Sequence, residues 1–429
     1  MDDTGAPRTR AYVLHPDIKS EKRTRDAARA LEEAVSLAAA LPELDVVGAE
    51  VVNLPRAQPG LLFGKGKIET LAATLKAEEI DLVLIDGPVT PVQQRNLEKR
   101  WDVKLLDRTG LILEIFADRA RTREGVLQVE LAALSYQRTR LVRAWTHLER
   151  QRGALGFVGG PGETQIEADR RAIDEAVTRL RRQLAKVVKT RELHRKARAK
   201  VPYPIVALVG YTNAGKSTLF NRITGAAVMA EDMLFATLDP TMRGVALPSG
   251  RDIILSDTVG FISDLPTQLV AAFRATLEEV LSADLILHVR DISHPETEEQ
   301  AADVQGILED LGIGDSSPMI EVWNKIDLVP DEEARVLQAQ ADRRDDVQIA
   351  SALTGKGVDA LLAAASEALA ETSFDETLSI GFENGRARAW LFEQGVVEAE
   401  RQSETGFELD LKWSARQKTR YQSLFGPEA

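Results

Sequence analysis

Apolar and polar positions along the first 125 residues follow two different periods. Three short apolar runs, RAYVLHP, DVVGAEVVNL and DLVLIDG, have the length of β-strands. Apolar residues instead recur at helical spacing in RDAARALEEAVSLAAAL, KIETLAATLKAEEI and TPVQQRNLEKRW. Strands that alternate with helices are typical of an α/β domain with a partly parallel sheet. We therefore predict such a domain over residues 1–125.

Residues 126–201 predict an antiparallel helical hairpin. Apolar residues recur at steps of three, four or seven in both halves, and such stripes pack one helix against another. Between the halves, the segment GALGFVGGPG, Gly153–Gly162, contains five glycines and a proline, which prevent a helix from continuing. This glycine-rich tip should present Leu155, Phe157 and Val158 on a loop, where exposed apolar side chains indicate a binding partner.

Two further domains are predicted after the hairpin. Residues 202–370 alternate apolar strands such as PIVALVG with helical patterns, which is typical of a mostly parallel sheet. Residues 371–429 contain the strand patterns ARAWLFEQG and GFELDLKW and a final helical segment, KTRYQSL. We predict a small α+β domain there, so the fold class expected for the whole chain is α/β multidomain.

Composition and charge narrow the classes of function. The chain of 429 residues has no cysteine, which excludes disulfides and thiolate zinc sites. Apolar runs fall far short of the roughly 20 residues of a membrane-spanning helix, so we expect a cytoplasmic protein, with peripheral membrane contact left open. The net charge is −13, yet residues 138–200 carry 17 Lys and Arg against 7 Asp and Glu. Charge alone fits an RNA-binding arm and a solvated helix face equally well.

The strongest chemical motif is GYTNAGKS, Gly210–Ser217, which directly follows the strand pattern PIVALVG. It matches the phosphate loop G-x-x-x-x-G-K-[ST]. In such a loop the glycines let backbone amides surround the phosphates, a lysine meets the β- and γ-oxygens, and a hydroxyl ligates Mg²⁺. Lys216 and Ser217 are the candidates for the last two roles, so the segment predicts a nucleoside triphosphate site.

Three shorter motifs follow in the order that a GTPase domain requires. Asp257 ends the apolar strand DIILS, where it can hold Mg²⁺ through a water, and the Gly260 amide can contact the γ-phosphate. In NKID, Asn324–Asp327, the last carboxylate can accept hydrogen bonds from guanine N1–H and the N2 amino group, which adenine does not offer. SAL, Ser351–Leu353, can offer backbone amides to guanine O6. Since all these motifs follow predicted strands, they indicate a guanine nucleotide site.

Two features of the motifs bear on catalysis. A switch threonine should reach Mg²⁺ and the γ-phosphate, and both Thr237 and Thr241 in EDMLFATLDPTMRG meet that requirement. Phe261 follows the glycine of DTVG, where many relatives have a glutamine that orients the attacking water. A phenyl ring makes no such hydrogen bond, so we expect slow intrinsic hydrolysis and stimulation by a partner. Asn213 resembles the asparagine of potassium-activated GTPases, although bonding to its own loop backbone explains it at least as well.

Several segments together resemble one family, the HflX family of ribosome-associated GTPases. They are GYTNAGKSTLFN, FATLDPT, DTVGF, NKID and SALTGKG, preceded by FGKGKIE and LVRAWTHLERQRGALGFVGGPGETQIEADRR. The resemblance covers about residues 10–370 and implies that Thr237 is the switch threonine and ligates Mg²⁺ with Ser217. It also implies binding to the large ribosomal subunit, with the glycine-rich tip reaching towards the peptidyl-transferase centre, and splitting of stalled or idle ribosomes under stress.

The expected site residues follow from the motifs and the resemblance together. Lys216, Thr237 and Gly260 are the expected catalytic residues, and Ser217, Thr237 and Asp257 are the expected metal ligands. K⁺ is a second candidate cation beside Mg²⁺. The expected nucleotide-binding residues are Gly210, Tyr211, Thr212, Asn213, Ala214, Gly215, Lys216, Ser217, Phe235, Ala236, Thr237, Leu238, Asp239, Asp257, Thr258, Val259, Gly260, Asn324, Lys325, Ile326, Asp327, Ser351, Ala352 and Leu353.

The expected partners are GTP or GDP and the ribosomal RNA of the large subunit, which a monomer would reach through the basic hairpin and its tip. Two other functions stay open. Phe261 would also suit a GTP-dependent binding module with little hydrolysis. GKGK, Gly64–Lys67, lies at a predicted strand-to-helix turn and is the one local hint of an RNA-remodelling ATPase.

Overall fold

The computed structural model describes most of the chain, in segments separated by short gaps. The described residues are 8–20, 25–151, 161–198, 203–226, 234–235, 237, 241–263, 278–313, 318–370, 373–403 and 405–425. The chain forms two compact units, Met1–Ala365 and Ser366–Ala429. Within the described ranges, every helix is too short or too polar to cross a lipid bilayer.

The N-terminal part of the first unit is a parallel sheet with helices between its strands. Its elements are β1 (Thr9–Ile18), α1 (Ala27–Ala39), β2 (Leu44–Leu54), α2 (Lys65–Ala77), β3 (Leu82–Ile85), α3 (Pro91–Trp101), β4 (Lys104–Asp107) and α4 (Arg108–Arg119). Side chains of Asp26, Thr90 and Asp107 cap the first amides of α1, α3 and α4, which fixes where these helices begin. The sheet confirms the predicted α/β architecture.

The strand order of this sheet is β2-β1-β3-β4. The chain adds β2 on one side of β1 and then crosses to add β3 on the other side. In open parallel sheets, such a reversal leaves a crevice outside the carboxyl ends of the two strands, where ligands usually bind. His15 on β1 and Asp86 directly after β3 lie at this crevice.

Two long helices follow, α5 (Arg123–Gln151) and α6 (Pro161–Arg198). They pack against each other, and an ion pair of 2.6 Å joins Arg138 on α5 to Asp174 on α6. Val129 and Ala132 at the start of α5 are buried in the apolar core of the N-terminal part, which anchors the hairpin. The part of the predicted glycine-rich tip before Pro161 lies outside the described residues.

The remainder of the first unit contains a second, mostly parallel sheet. Apolar strands such as IVALV are buried on both faces, as parallel strands covered by helices require. The elements are β5 (Ile205–Val209), α7 (Lys216–Thr224), β6 (Thr241–Ala246), β7 (Asp252–Asp257), α8 (Glu278–Leu281), β8 (Leu285–Asp291), α9 (Thr297–Asp310), β9 (Met319–Asn324), a 3-10 turn (Ile326–Leu328), α10 (Asp331–Ala341), β10 (Val347–Ile349) and α11 (Val358–Ala368), whose last residues belong to the second unit. The strand order is β10-β9-β8-β5-β7-β6, and all pairs are parallel except β6 with β7.

A single apolar core crosses from the N-terminal sheet to the second sheet. It includes Phe116 of α4 together with Phe235 and Phe261 of the second sheet's loops. The rings of Phe116 and Phe235 meet edge to face, with centroids 4.6 Å apart. Aromatic rings in such contacts bury large apolar areas, so the two parts of the first unit are joined by packing as well as by the chain.

The second unit is a small antiparallel sheet with two helices. Its elements are β11 (Ser373–Gly381), α12 (Gly385–Glu393), β12 (Val397–Gln402), β13 (Gly406–Ser414) and α13 (Ala415–Phe425), with strand order β11-β13-β12. Leu391, Leu409 and Trp413 are buried in its core. This arrangement confirms the predicted small α+β domain, and with it the α/β multidomain fold class. The strand predicted for ARAWLFEQG is wrong: most of these residues lie in α12, in which Ala387 and Leu391, four positions apart, are buried on one helix face.

Candidate nucleotide site

The phosphate-loop motif forms a tight turn between β5 and α7. Gly215, the last loop residue, has φ +92°, and a Cβ there would lie 2.3 Å from Asn324 Nδ2. Only glycine fits this conformation and this approach without strain. Because α7 begins at Lys216, its first amides point towards the loop, where the positive end of the helix dipole favours phosphate.

Lys216 lies at the bottom of this turn and is almost entirely buried. Its Nζ donates to the carbonyl oxygens of Gly210, at 3.1 Å, and Tyr211, at 2.8 Å. Burial lowers the pKa of Lys216 to about 8, and the Asp257 charge opposes that shift in part. Phosphate oxygens beside Nζ would stabilise the charged form, so the pocket is suited to an anionic ligand.

Three oxygen donors meet at the start of α7. Asp257 Oδ2 accepts from Ser217 Oγ at 2.7 Å and from Thr237 Oγ1 at 3.0 Å, and the two hydroxyls are 2.8 Å apart. The other carboxylate oxygen of Asp257 is buried with no hydrogen-bond partner among the described residues. Burial raises the pKa of Asp257, an effect that a nearby cation would reverse. Carboxylate and hydroxyl oxygens are donors that Mg²⁺ prefers, so these residues fit that ion.

The two candidate switch threonines occupy different places. Thr237 is buried and makes the hydroxyl contacts just described. Thr241 begins β6 and pairs in register with Asp257 across the strands. Phe235 is buried with φ 56°, whereas Ala236, Leu238 and Asp239 lie outside the described residues.

Asn324 joins the base-recognition motifs to the phosphate loop. Its Nδ2 donates to the Ala214 carbonyl at 2.8 Å, and its Oδ1 accepts from the Ala352 amide at 2.9 Å. Lys325 forms an ion pair of 2.8 Å with Asp291. The Asn324 side chain therefore fixes three separate loops relative to one another.

The residues on either side of Asn324 complete this face of the site. Asp327 lies on the 3-10 turn with its carboxylate exposed, and Leu353 is also exposed. Ser351 is buried, and its Oγ accepts from the Thr354 amide at 3.0 Å. Ile326 is buried in an apolar cluster beneath the turn, which holds the Asp327 carboxylate towards solvent, where a base can meet it.

The DTVGF segment is bonded to the phosphate loop. The Thr212 amide donates to the Phe261 carbonyl at 2.7 Å, and the Phe261 amide donates to the Gly210 carbonyl at 3.1 Å. Gly260 is held so close that a Cβ there would lie 2.9 Å from Thr212 Cα and 3.0 Å from Lys216 Nζ. Upstream, Thr258 Oγ1 donates to the Leu208 carbonyl at 2.6 Å, and Val259 is buried.

The Phe261 side chain is 2% exposed and belongs to the core shared by the two sheets. A residue at this position therefore packs between domains, and a glutamine would be buried with a polar amide in apolar surroundings. Asn213, by contrast, is exposed in the phosphate loop with φ 59°. The motif indicated that Phe261 makes no hydrogen bond to water, but only the structure shows that its ring is buried in the core.

We expect Phe261→Gln to destabilise the protein without accelerating hydrolysis. Loss of a buried phenyl ring costs about 3 to 5 kcal/mol of unfolding free energy, while the ring's place in the core keeps the new amide away from the phosphates. Single-turnover GTP hydrolysis and urea unfolding measure the two effects. Phe261→Leu is the matched control and should lose less stability. A rate more than tenfold above that of the unmodified chain would contradict the assignment.

Several polar residues near the site carried no motif signal. Glu33, Arg108 and Arg25 come from the N-terminal part and contact Tyr211 or Ser263 beside the phosphate loop. In the sequence they are recognisable only as charged residues in or beside apolar helical segments, as Arg108 is in RTGLILEIF. The GKGK segment begins α2, where Lys67 forms an ion pair with Glu50 of the same domain.

The fold and these contacts define a P-loop GTPase. Family models match nearly the whole chain: GTP-binding GTPase N-terminal at residues 28–117, GTP-binding GTPase Middle Region at 119–198, 50S ribosome-binding GTPase at 205–325 and HflX C-terminal domain at 336–427. The chain belongs to the HflX family of ribosome-binding GTPases.

Individual relatives agree with this membership. The chain is similar to GTPase HflX of Magnetococcus marinus, with 52% identity over 86% of this chain and 84% of that protein. It is 46% identical to GTPase HflX of Escherichia coli over 81% of each. Among solved structures, it resembles a GTP-binding protein from Sulfolobus solfataricus in complex with GDP, with 23% identity, a TM-score of 0.44, and coverage of 84% of this chain and 98% of that one.

Proposed function

We propose that this GTPase binds the large ribosomal subunit and splits stalled or idle ribosomes under stress, with slow intrinsic hydrolysis that the ribosome stimulates. The observation that carries the proposal is the convergence of Lys216, Ser217, Thr237 and Asp257 beside a Phe261 that is turned into the core. Side chains suited to phosphate and to a metal ion come together here, while the position after Gly260 offers no hydrogen bond to water. A partner that supplies the missing group would couple hydrolysis to binding.

The residues suggest how hydrolysis proceeds. A water would attack the γ-phosphate in line, with Lys216 and the phosphate-loop amides stabilising the transferring group. Ser217, Thr237 and Asp257 would hold Mg²⁺, which neutralises charge on the β- and γ-oxygens when bound. The amides of Thr237 and Gly260 would sense the γ-phosphate, so that its loss releases both switch segments. Asp327 would select guanine.

The hairpin offers a surface for ribosomal RNA. Exposed basic side chains follow one another along α6 at Arg171, Arg179, Arg182 and Lys186. Such side chains neutralise phosphates and release counterions, which supplies much of nucleic-acid affinity. The glycine-rich tip would extend this surface towards the peptidyl-transferase centre. A monomer in the cytoplasm, with peripheral membrane contact left open, fits this role.

Sedimentation with ribosomal subunits tests the proposal. We expect the chain to pellet with large subunits at least about tenfold more strongly with a non-hydrolysable GTP analogue than with GDP, because the γ-phosphate orders the switch segments. Replacing Arg179 and Arg182 by alanine should weaken pelleting, whereas the matched pair Arg335 and Arg343, exposed on the nucleotide domain, should not matter. Equal pelleting with analogue, with GDP and without nucleotide would refute the nucleotide-controlled model.

Potassium is a further proposed cofactor. Asn213 lies exposed in the phosphate loop, where a monovalent cation could add positive charge near the transferring phosphate. The same hydrolysis assay in potassium and in sodium buffers tests this idea. Equal rates would remove K⁺ from the mechanism.

A further inference from the structure

A buried polar network joins the N-terminal sheet to the nucleotide site, with Arg108 at its centre. Arg108 begins α4, and its guanidinium is almost fully buried. Nη1 donates to Asp86 Oδ1 at 2.6 Å, and Nη2 donates to Glu33 Oε1 at 2.5 Å and to the Ser263 carbonyl at 3.0 Å. Asp86 Oδ2 in turn is 2.7 Å from His15 Nδ1. One side chain thus contacts two carboxylates of its own domain and the backbone of the other.

On the nucleotide side, the network includes the hydroxyl of Tyr211. Its hydroxyl donates to Glu33 Oε2 at 2.5 Å and accepts from the Ser263 amide at 2.9 Å, and Ser263 Oγ lies 2.5 Å away. Arg25 donates to that Ser263 hydroxyl and to Glu33 Oε2 at 3.0 Å. Polar contacts therefore cross the domain boundary from Glu33, Arg108 and Arg25.

The network lies at the crevice between the carboxyl ends of β1 and β3. That crevice is where open parallel sheets usually hold a ligand. Here His15 contacts Asp86, Asp86 accepts from Arg108, and Arg108 donates to the Ser263 carbonyl. The crevice where such a sheet usually binds a ligand therefore holds the segment that follows the DTVG motif.

Ser263 is three residues from Gly260, and Tyr211 is the second residue of the phosphate loop. Between these anchors, the Thr212 amide bonds to the Phe261 carbonyl, and the Phe261 amide bonds to the Gly210 carbonyl. A side chain at position 260 would meet Thr212 and Lys216, so the glycine backbone lies close against the phosphate loop. These backbone bonds connect the Ser263 end of the segment to Gly260 and to the phosphate loop.

The charged groups at this junction depend on one another. Although burial favours the neutral acid, Arg108 and Arg25 together lower the pKa of Glu33, so the carboxylate stays charged. Buried ion pairs stabilise only when every member is satisfied, and a partly broken network costs much more than its bonds suggest. Loss of one contact at this junction should therefore weaken the others.

We propose that Arg108 and Glu33 are positioning residues for GTP hydrolysis, which act through Tyr211 and Ser263 to hold Gly260 against the phosphate site. The N-terminal domain would then set both the hydrolysis rate and the preference for GTP over GDP. GDP binding would be spared, because GDP has no γ-phosphate for the Gly260 amide to contact. The coupling would operate in the isolated chain and needs no ribosome.

Two conservative variants test this coupling in the full chain without ribosomes. Tyr211→Phe removes one hydroxyl and keeps the ring, and Arg108→Lys keeps the charge but cannot contact Asp86, Glu33 and Ser263 together. Each should lower kcat and the affinity for a GTP analogue by about tenfold, equivalent to about 1.4 kcal/mol. The Kd for GDP should stay within about twofold. The double variant should lose no more kcat and analogue affinity than the more impaired single variant, because both substitutions break the same chain of contacts.

Matched controls separate positioning from folding. Arg119→Lys alters an arginine at the other end of α4 that donates to the Ala40 carbonyl, and Tyr12→Phe alters a tyrosine of β1. Both should keep the kcat and the nucleotide preference of the unmodified chain, and thermal unfolding monitors stability in every variant. An unchanged kcat in folded Tyr211→Phe, equal losses of GDP and analogue affinity, or additive losses in the double variant would each overturn the proposal.

Discussion

Large ribosomal subunits should raise the single-turnover rate of GTP hydrolysis by up to about 10⁵-fold, the range that a catalytic group supplied in trans gives in small GTPases. This corresponds to about 7 kcal/mol of transition-state stabilisation. The reason lies at Phe261, whose ring is buried in the core and leaves the attacking water without an orienting side chain at that position. Phosphate release with and without subunits measures the effect.

Two controls define where the stimulation originates. Small subunits should leave the rate unchanged, since the proposed partner is the large subunit. Lys216→Ala should remove hydrolysis with and without subunits, because the Lys216 ammonium would stabilise charge on the phosphate oxygens. Stimulation of less than about tenfold by large subunits would instead favour a GTP-dependent binding module with little hydrolysis.

Asp327→Asn should exchange guanine for xanthine as the preferred base. The Asp327 carboxylate would accept from guanine N1–H and its amino group, and a site that loses such a pairing rejects the ligand by about 10⁴-fold. An asparagine can accept from N1–H and donate to the C2 carbonyl of xanthine. GTP affinity should fall by about that factor, while xanthosine triphosphate should bind and be hydrolysed.

Titration with fluorescent guanine and xanthine nucleotides checks the exchange of base. Asp331→Asn, an equal change on an exposed carboxylate four residues away, should leave both affinities unaltered. A variant that binds neither base would indicate a collapsed site, and one that still prefers GTP would show that Asp327 does not read the base.

The motif residues could be predicted from the sequence because their geometry is local. A phosphate loop is built by a few consecutive residues between a strand and a helix, and only certain side chains allow that turn. The same holds for Asn324–Asp327 at the end of β9. The division into four domains is likewise a statement about local patterns, and its boundaries stay predictions.

Contacts between residues that are far apart along the chain could not be predicted from the sequence, for a physical reason. Tyr211 and Glu33 are 178 positions apart, and no periodicity links a phosphate loop to a helix of another domain. Spacing likewise left Thr237 and Thr241 as alternatives, and in the sequence only the family resemblance favoured Thr237. Only packing places the Thr237 hydroxyl 3.0 Å from Asp257.

The sequence by itself determined that the chain carries a guanine nucleotide site on an α/β framework, because backbone conformation and hydrogen-bonding chemistry are encoded by neighbouring residues. The tertiary structure alone decided what Phe261 does and which groups hold Ser263. Burial and ion pairing depend on what surrounds a side chain in space, and those surroundings come from segments that are remote along the chain.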